Sequence, residues 1–344
     1  MPAHPRRIRR RFWFFVAAFV VCLAMVGYIR TIHAPAPRPV AGHEAQVHPR
    51  PPVLHWSSWK TASVFLPNPT MGFSVASSGH TAWILGGLVN QSSTQISILR
   101  WNAKGHIASL VPSKVTLPSP LHDMAATTIG HSLWVLGGGA YASSASVYRL
   151  PLPQLTPATT AEPLPEPLSD LSAVRDGADI LVIGGHDSGA PSSVIWRYRL
   201  SQTATLFARL PAGVRYAAVA SGSRHLYVVG GFLANGTYTN NADMFTLKTG
   251  AVTPLPPYPL KVQYAEATLV GGRLLVAGGQ TASGWTNQAY WLNIRTNVWE
   301  PAPSLPAPRG YGALIAISGR RAVWLGGQGS QGATNNVWTL RLEN

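Results

Sequence analysis

Short apolar runs recur along the chain, and each of them ends in a pair of glycines. The intervals between the first glycines are 51, 47, 46, 48 and 48 residues. The six pairs are Gly86-Gly87, Gly137-Gly138, Gly184-Gly185, Gly230-Gly231, Gly278-Gly279 and Gly326-Gly327. A short apolar run between turn residues is typical of a strand that is buried on both faces. Six copies at a near-constant spacing predict a protein built from six similar sheets.

Other segments recur in phase with the glycine pairs. Another strand precedes each apolar run and is joined to it by a turn that contains glycine, such as Ser221-Gly222-Ser223. A polar loop, a third strand and a fourth strand follow, and the fourth strand runs into Leu-Pro, as at Leu255-Pro256 and Leu305-Pro306. We therefore expect four strands in each sheet.

This arrangement resembles kelch repeats, in which an apolar strand and Gly-Gly precede an aromatic-Asp strand and a later Trp. The closest match is 292–299, which ends in Trp299 and is followed by Leu305-Pro306. The resemblance covers roughly residues 56–344 and implies an all-β, six-bladed β-propeller of the galactose oxidase and kelch-like superfamily. The chain departs from the pattern at Trp101-Asn102, and again in the second blade, where the Pro- and Thr-rich residues 151–168 replace a clear fourth strand.

The last repeat lacks a fourth strand of its own, because the chain stops after its third strand. Residues 59–67 carry a Trp, alternating small residues and a Leu-Pro, as an isolated fourth strand would. We therefore expect this N-terminal segment to complete the sixth blade and to leave no open edge in the ring.

The first 55 residues have a different character. Residues 1–11 form a basic tail, residues 12–29 contain no charged side chain, and residues 30–55 are a Pro-rich linker. Eighteen helical residues span about 27 Å, close to the thickness of a bilayer core. The pattern predicts a single-pass signal-anchor in the cell membrane, with the N-terminus cytoplasmic and the propeller outside. A cleaved signal peptide is the alternative.

Composition narrows the partners. The chain has 27 Lys and Arg against 12 Asp and Glu, a formal charge of +15, but its later basic residues are scattered singly. We therefore expect no nucleic-acid partner, and we expect a monomer without a cofactor. The one cysteine, Cys22, lies in the apolar N-terminal stretch. A single cysteine excludes an intrachain disulfide. Its position outside the repeats makes the Tyr–Cys copper chemistry of galactose oxidase implausible. No metal site is predicted.

Candidate chemistry lies where the first strand of each repeat begins, since such positions meet at one mouth of a propeller channel. The candidate acid/base residues are Glu266, Asp123 and Asp170. The candidate ligand-binding residues are Arg215, Tyr216, Gln263, Tyr264, Arg309, Tyr311, His122 and Trp285. The alternative is that these polar groups face water and tie the blades together, and that Trp285 covers its own loop.

Two functions remain open. The first is an extracytoplasmic binding or interaction module without catalysis, for a protein or carbohydrate ligand. The second is a carbohydrate-handling enzyme of the sugar epimerase or mutarotase kind, because a similar bacterial-type kelch protein acts on sialic acid. The second function requires Arg215, Glu266 and Arg309 to lie around one cavity.

Overall fold

The computed structural model describes residues 55–89, 95–102, 104–187, 189–200 and 202–343. The predicted basic tail, the predicted span at residues 12–29 and the linker up to residue 54 lie outside these ranges. Within the ranges, no helix combines the length and apolar character that crossing a bilayer needs. The prediction of a membrane anchor therefore stays a prediction.

Six antiparallel sheets follow one another along the chain and form the six blades of a propeller. The first strand of each blade lies next to the central channel. These first strands are Ser74–Ser78, Ala125–Ile129, Ser172–Asp176, Ala218–Ser221, Glu266–Val270 and Ala313–Ser318. The second strands, which end before Gly-Gly, are Thr81–Leu85, Ser132–Leu136, Asp179–Ile183, His225–Val229, Arg273–Ala277 and Arg321–Leu325. First strands of successive blades contact each other, and the sixth contacts the first, so the ring is closed.

The outer half of each blade is more variable. The third strands are Gln95–Trp101, Val147–Pro151, Val194–Tyr198, Ala242–Thr246, Ala289–Asn293 and Val337–Glu343. The fourth strands of the first five blades are Ile107–Thr116, Thr159–Thr160, Thr205–Arg209, Val252–Pro254 and Val298–Ala302. The fourth strand of the second blade has only two residues, as its Pro- and Thr-rich sequence indicated. Two small hairpins, Gln280–Thr281 with Gly284–Trp285 and Gln328–Gly329 with Gly332–Ala333, follow the last two glycine pairs.

The N-terminal segment completes the sixth blade, which confirms the prediction. His55–Trp56 and Lys60–Thr61 both pair with the third strand of that blade, Val337–Glu343. Backbone hydrogen bonds then continue through Leu66, whose N–H donates to Asn335, as far as Thr70, whose N–H donates to Thr334. The pairing thus begins about four residues before the segment 59–67 that the sequence indicated.

The apolar core lies between the blades. The second strands are almost wholly buried, because each is covered on both faces by neighbouring blades, and this explains why their sequences are apolar without alternation. Trp324 of the sixth blade is fully buried and packs in one cluster with Ala277 of the fifth blade. We call the boundary between two successive blades a seam. At this seam a large residue packs against a small one.

The glycine pairs connect each blade to the next. All twelve glycines have a positive φ, between 49° and 111°. The N–H of each second glycine donates to a main-chain oxygen of the following blade, at 2.7 to 3.0 Å. The acceptors are Leu121, Leu168, Val214, Val262, Arg309 and Thr70. A Cβ on a first glycine would meet the main chain of that same neighbour, so Gly-Gly is required at the seam as well as by the local turn.

We predict that Gly278→Ala destabilises the propeller far more than Gly272→Ala. Both glycines have a positive φ, but a Cβ at Gly278 would overlap the carbonyl oxygen of Arg309, whereas nothing lies within 4 Å of one at Gly272. The backbone strain alone costs about 1 to 2 kcal/mol. We therefore expect a loss near that value for Gly272→Ala and of at least about 3 kcal/mol for Gly278→Ala, by urea unfolding. Equal losses would show that the seam contact is not what selects the glycine.

Candidate functional site

Six residues, one from each blade, form a closed ring of main-chain hydrogen bonds around the channel. The N–H of each residue donates to the carbonyl oxygen of its counterpart in the preceding blade, at 2.8 to 3.1 Å. All six have a φ between 56° and 61°, and each lies two residues before a first strand. The ring residues are Gly72, Asp123, Asp170, Tyr216, Tyr264 and Tyr311. The start of every first strand is thus held at the same height, and five side chains are brought to one channel mouth.

Three tyrosines occupy half of the ring and pack against one another. The ring centroids of Tyr216 and Tyr264 are 4.2 Å apart, those of Tyr264 and Tyr311 are 4.4 Å apart, and those of Tyr216 and Tyr311 are 5.8 Å apart. Trp285 extends this cluster, with its centroid 5.9 Å from that of Tyr264, and it is only half-exposed. The three tyrosines therefore form the floor of the channel mouth, which we call the tyrosine floor, and Trp285 lies next to it.

Two aspartates occupy the opposite part of the ring, and both have polar partners. Asp123 accepts a hydrogen bond from the Tyr311 hydroxyl, and its other oxygen lies 2.7 Å from Nδ1 of His122. Gly72 leaves room for this contact, because a Cβ there would lie 2.8 Å from the Tyr311 hydroxyl oxygen. Asp170 accepts from Nη1 of Arg215 at 3.2 Å.

Burial changes the pKa of several groups at the mouth. Loss of hydration, with the nearby charge of Asp123, raises the pKa of Asp170 to about 6. The hydrogen bond to Asp123 raises the pKa of His122 above its ordinary value. Burial raises the pKa of Tyr264 to about 12, and it raises those of Tyr216 and Tyr311 as well. At neutral pH the tyrosines are therefore hydroxyl donors.

A cavity of about 200 Å³ opens in the channel at the ring. Its walls are mainly small and apolar residues of the first strands, together with the ring side chains. Glu266 is the exception, since the corresponding residues of the other blades are Ser74, Ala125, Ser172, Ala218 and Ala313. Its carboxyl has no hydrogen-bond or ion-pair partner among the described residues, and loss of hydration raises its pKa well above the ordinary value.

The remaining candidates lie away from that cavity. Arg309 is 8% exposed, stacks on the Trp338 ring at 4.2 Å and leaves Nε and Nη1 without a partner. Burial lowers its pKa to about 10. Gln263 is also buried and donates to the side chain of Gln280 at 2.9 Å. Of the three residues that the enzyme hypothesis requires around one cavity, only Glu266 lines it; Arg215 and Arg309 do not.

One surface residue was missed by the sequence reasoning. Tyr141 is fully exposed, in the loop after the second glycine pair. That loop is bridged to the strand start at His122 through Gly139, so Tyr141 stands beside the mouth. The available signal was a lone aromatic within small residues, Gly138-Gly139-Ala140-Tyr141-Ala142.

We call the surface formed by the ring and the loops after the glycine pairs the mouth face.

Metal binding has no support in the described part of the chain. No group of three or more His, Cys, Asp or Glu side chains that could hold an ion occurs there. His122 and Asp123 form a pair without a third such ligand.

Comparisons with known proteins agree with this architecture. Residues 203–344, less than half of the chain, match the sequence model of the KLHDC2/KLHL20/DRC7 Kelch-repeats domain. Kelch-like protein 35 of Mus musculus is 28% identical over 141 residues, which are 41% of this chain and 24% of that protein. This chain therefore spans about a quarter of the relative that it matches.

A solved structure, titled "Structure of YjhT", superimposes with a TM-score of 0.72 at 15% identity. The superposition covers 81% of this chain and 99% of the other. At this identity the likeness shows the fold alone. The findings together support a Kelch-repeat domain and an all-β six-bladed propeller.

We predict that Asp170 makes the propeller more stable in acid. A carboxyl whose pKa is about 6 when folded and about 3.9 when unfolded stabilises the fold fully below pH 3.9, and this contribution is lost as the pH rises through 6. Asn accepts a positive φ and cannot titrate, so Asp170→Asn is the suitable variant.

Wild-type and Asp170→Asn should be unfolded in urea at pH 4 and pH 7. Relative to the variant, the wild type should lose on the order of 2 to 3 kcal/mol of unfolding free energy between these pH values. Glu266 titrates in both proteins, so its effect cancels in the difference; the charge of Asp170 makes only the smallest of the contributions that raise the pKa of His122. A difference that does not change with pH would contradict the raised pKa.

Proposed function

We propose that this propeller is a binding module without catalysis and that its ligand binds on the mouth face. One observation carries the proposal: the charged groups at the mouth engage one another. Asp123 is held by His122 and Tyr311, and Asp170 is held by Arg215. Groups held in this way serve the scaffold and are poorly placed to exchange protons with a substrate.

The surface that remains suits recognition. The tyrosine floor offers aromatic surface to a ligand, and Tyr141 stands fully exposed beside it. Aromatic residues of this kind dominate the binding energy at many interfaces. Kelch domains generally mediate protein interactions, which favours a protein ligand, and the same aromatic floor suits a sugar ring.

The proposal includes a location outside the cytoplasm. Its support is the sequence alone: a charge-free run at residues 12–29 after an arginine-rich tail, which would tether the propeller to the cell membrane. Digestion of the propeller by protease added to intact cells would test this orientation, and full protection would refute it.

We predict that Tyr141→Ser weakens ligand binding without changing the fold. A panel of neutral oligosaccharides, sialic acids and displayed peptides can be screened with the detergent-solubilised chain, since a ligand of the native state raises its melting temperature. The ligands found should bind Tyr141→Ser at least tenfold more weakly, because an exposed aromatic anchor contributes about 2 kcal/mol.

The melting temperature of the free variant should stay unchanged, since Tyr141 is fully exposed. Leu206→Ser is the matched control, because Leu206 is 53% exposed on the outer strand of the third blade, away from the mouth. Ligands that bind Tyr141→Ser as tightly as the wild type would place the binding surface elsewhere.

One observation favours the second candidate function, a sugar epimerase or mutarotase. Glu266 lines the channel cavity and has no partner among the described residues, and burial raises its pKa, which favours the protonated carboxyl. A protonated carboxyl in a cavity can act as a general acid. No Lys, Arg or His is among the described residues that line the cavity, so none of them would hold an acidic sugar there, which is why we rank this function second.

We predict that the protein does not accelerate anomer exchange of sialic acid. Exchange can be followed by NMR with the full chain, Glu266→Gln and, as a control at the ring, Asp123→Asn. The binding-module proposal requires the same exchange rate as in buffer. Acceleration that disappears in Glu266→Gln would replace the proposal with the enzymatic function.

A further inference from the structure

A basic groove lies at the seam between the sixth and first blades, at the end of the propeller opposite the mouth face. Its volume is about 220 Å³. The ionisable residues that line it are His80, Lys104, Arg320, Arg321 and Arg341, and Trp101 forms part of its wall. No Asp or Glu is among its lining residues.

The strand register places two arginines opposite each other in this groove. Arg321 opens the second strand of the sixth blade and pairs in register with Arg341 of the third strand. Like charges directly opposite on neighbouring strands destabilise a sheet. The corresponding position of the third blade carries opposite charges instead, where Arg199 Nε lies 3.5 Å from a carboxylate oxygen of Asp179.

The turn at residues 102–106 of the first blade adjoins the groove and places further hydrogen-bond donors beside it. Asn102 accepts through its side-chain oxygen from the backbone N–H groups of Lys104 and His106, at 3.0 and 3.1 Å. Arg321 reaches this turn, and its Nη2 lies 3.4 Å from Nε2 of His106. Burial and the charge of Arg341 lower the pKa of Arg321, and an anion in the groove would compensate the repulsion between the two guanidinium groups.

Carboxylates are scarce in the sequence around Arg321 and Arg341. Between Glu44 and Asp123 the chain contains no Asp or Glu, so the first blade has no carboxylate on its side chains. Glu343 is the carboxylate on the strand of Arg341, but it does not line the groove. Among the described residues, therefore, neither Arg321 nor Arg341 has an ion-pair partner.

We propose that this groove binds an anionic phosphate group, at a site independent of the mouth face and of the proposed function. Planar guanidinium forks match phosphate oxygens, and Arg321 and Arg341 present two forks to one cavity. Two sources carry this chemistry: inorganic phosphate in solution and the headgroup of an anionic lipid.

The test measures the melting temperature of the full chain in nonionic detergent at pH 7. Inorganic phosphate is titrated against chloride at equal ionic strength, which removes general screening. Phosphate should raise the melting temperature of the wild type, and Arg321→Gln and Arg341→Gln should each raise the apparent Kd at least tenfold. Without phosphate, these variants should melt at or above the wild-type temperature, because the repulsion between the two arginines is removed.

Arg273→Gln is the matched control. Arg273 holds the same repeat position in the fifth blade, but Glu300 pairs with it at 2.7 Å, so its loss should not alter the phosphate response. Should a Gln variant prove unstable, Arg321→Lys keeps the charge without the fork and should still weaken binding. Equal melting temperatures in phosphate and chloride, or unchanged affinity in Arg321→Gln and Arg341→Gln, would overturn the proposal.

The source of the phosphate is resolved by two lipids with short chains, used below their micelle concentrations. Dihexanoyl phosphatidylglycerol that binds more tightly than inorganic phosphate, and competes with it, identifies a lipid headgroup. Equal affinity identifies the free anion. Dihexanoyl phosphatidylcholine controls for the acyl chains and should compete with neither ligand.

Discussion

Main-chain hydrogen bonds between successive blades are the constraint on which this structure depends. Each blade donates from its second glycine to the next blade, and each ring residue donates to the blade before it. Both sets of bonds need backbone with a positive φ, close to neighbouring main chain. The glycine pairs and the ring residues therefore belong to one network of main-chain hydrogen bonds between the blades. This network fixes the position of each blade relative to the next around the axis and leaves a channel with a narrow mouth.

The repeat architecture could be predicted because its signals are local. A buried strand that ends in Gly-Gly is visible in the sequence wherever it occurs. Counting residues from it locates five of the six ring residues, the Asp and Tyr residues, but not Gly72. The directions in which the candidate side chains point could not be predicted from the sequence. Arg309 occupies a position that in other blades holds Leu, Val or Thr, and its stacking on Trp338 depends on a residue 29 positions later in the chain. Tyr141 was missed because exposure of one loop residue leaves no periodic signal.

The two ends of the propeller have different chemistry. The mouth face combines aromatic rings with aspartates that are held by local partners, whereas the opposite end has a basic groove at one seam, where Arg321 and Arg341 lie opposite each other in register. Acidic residues are concentrated in the second and third blades, where Asp176 and Asp179 pair with Arg197. The first blade has none. The net positive charge is therefore distributed unevenly around the ring, and a charged partner would meet the protein in a preferred orientation.

The way in which the sixth blade is completed has a consequence for synthesis of the chain. His55–Trp56 is synthesised before the first strand of any blade, yet its pairing partner, Val337–Glu343, is synthesised only after the first five blades. His55–Trp56 must therefore wait, unpaired, while the intervening blades are synthesised. Such a long-range contact carries the largest loop-closure cost in the fold and is expected to form slowly. Until it forms, the nascent protein is an open arc with two exposed edges, which makes this interval the period when it most needs protection from aggregation.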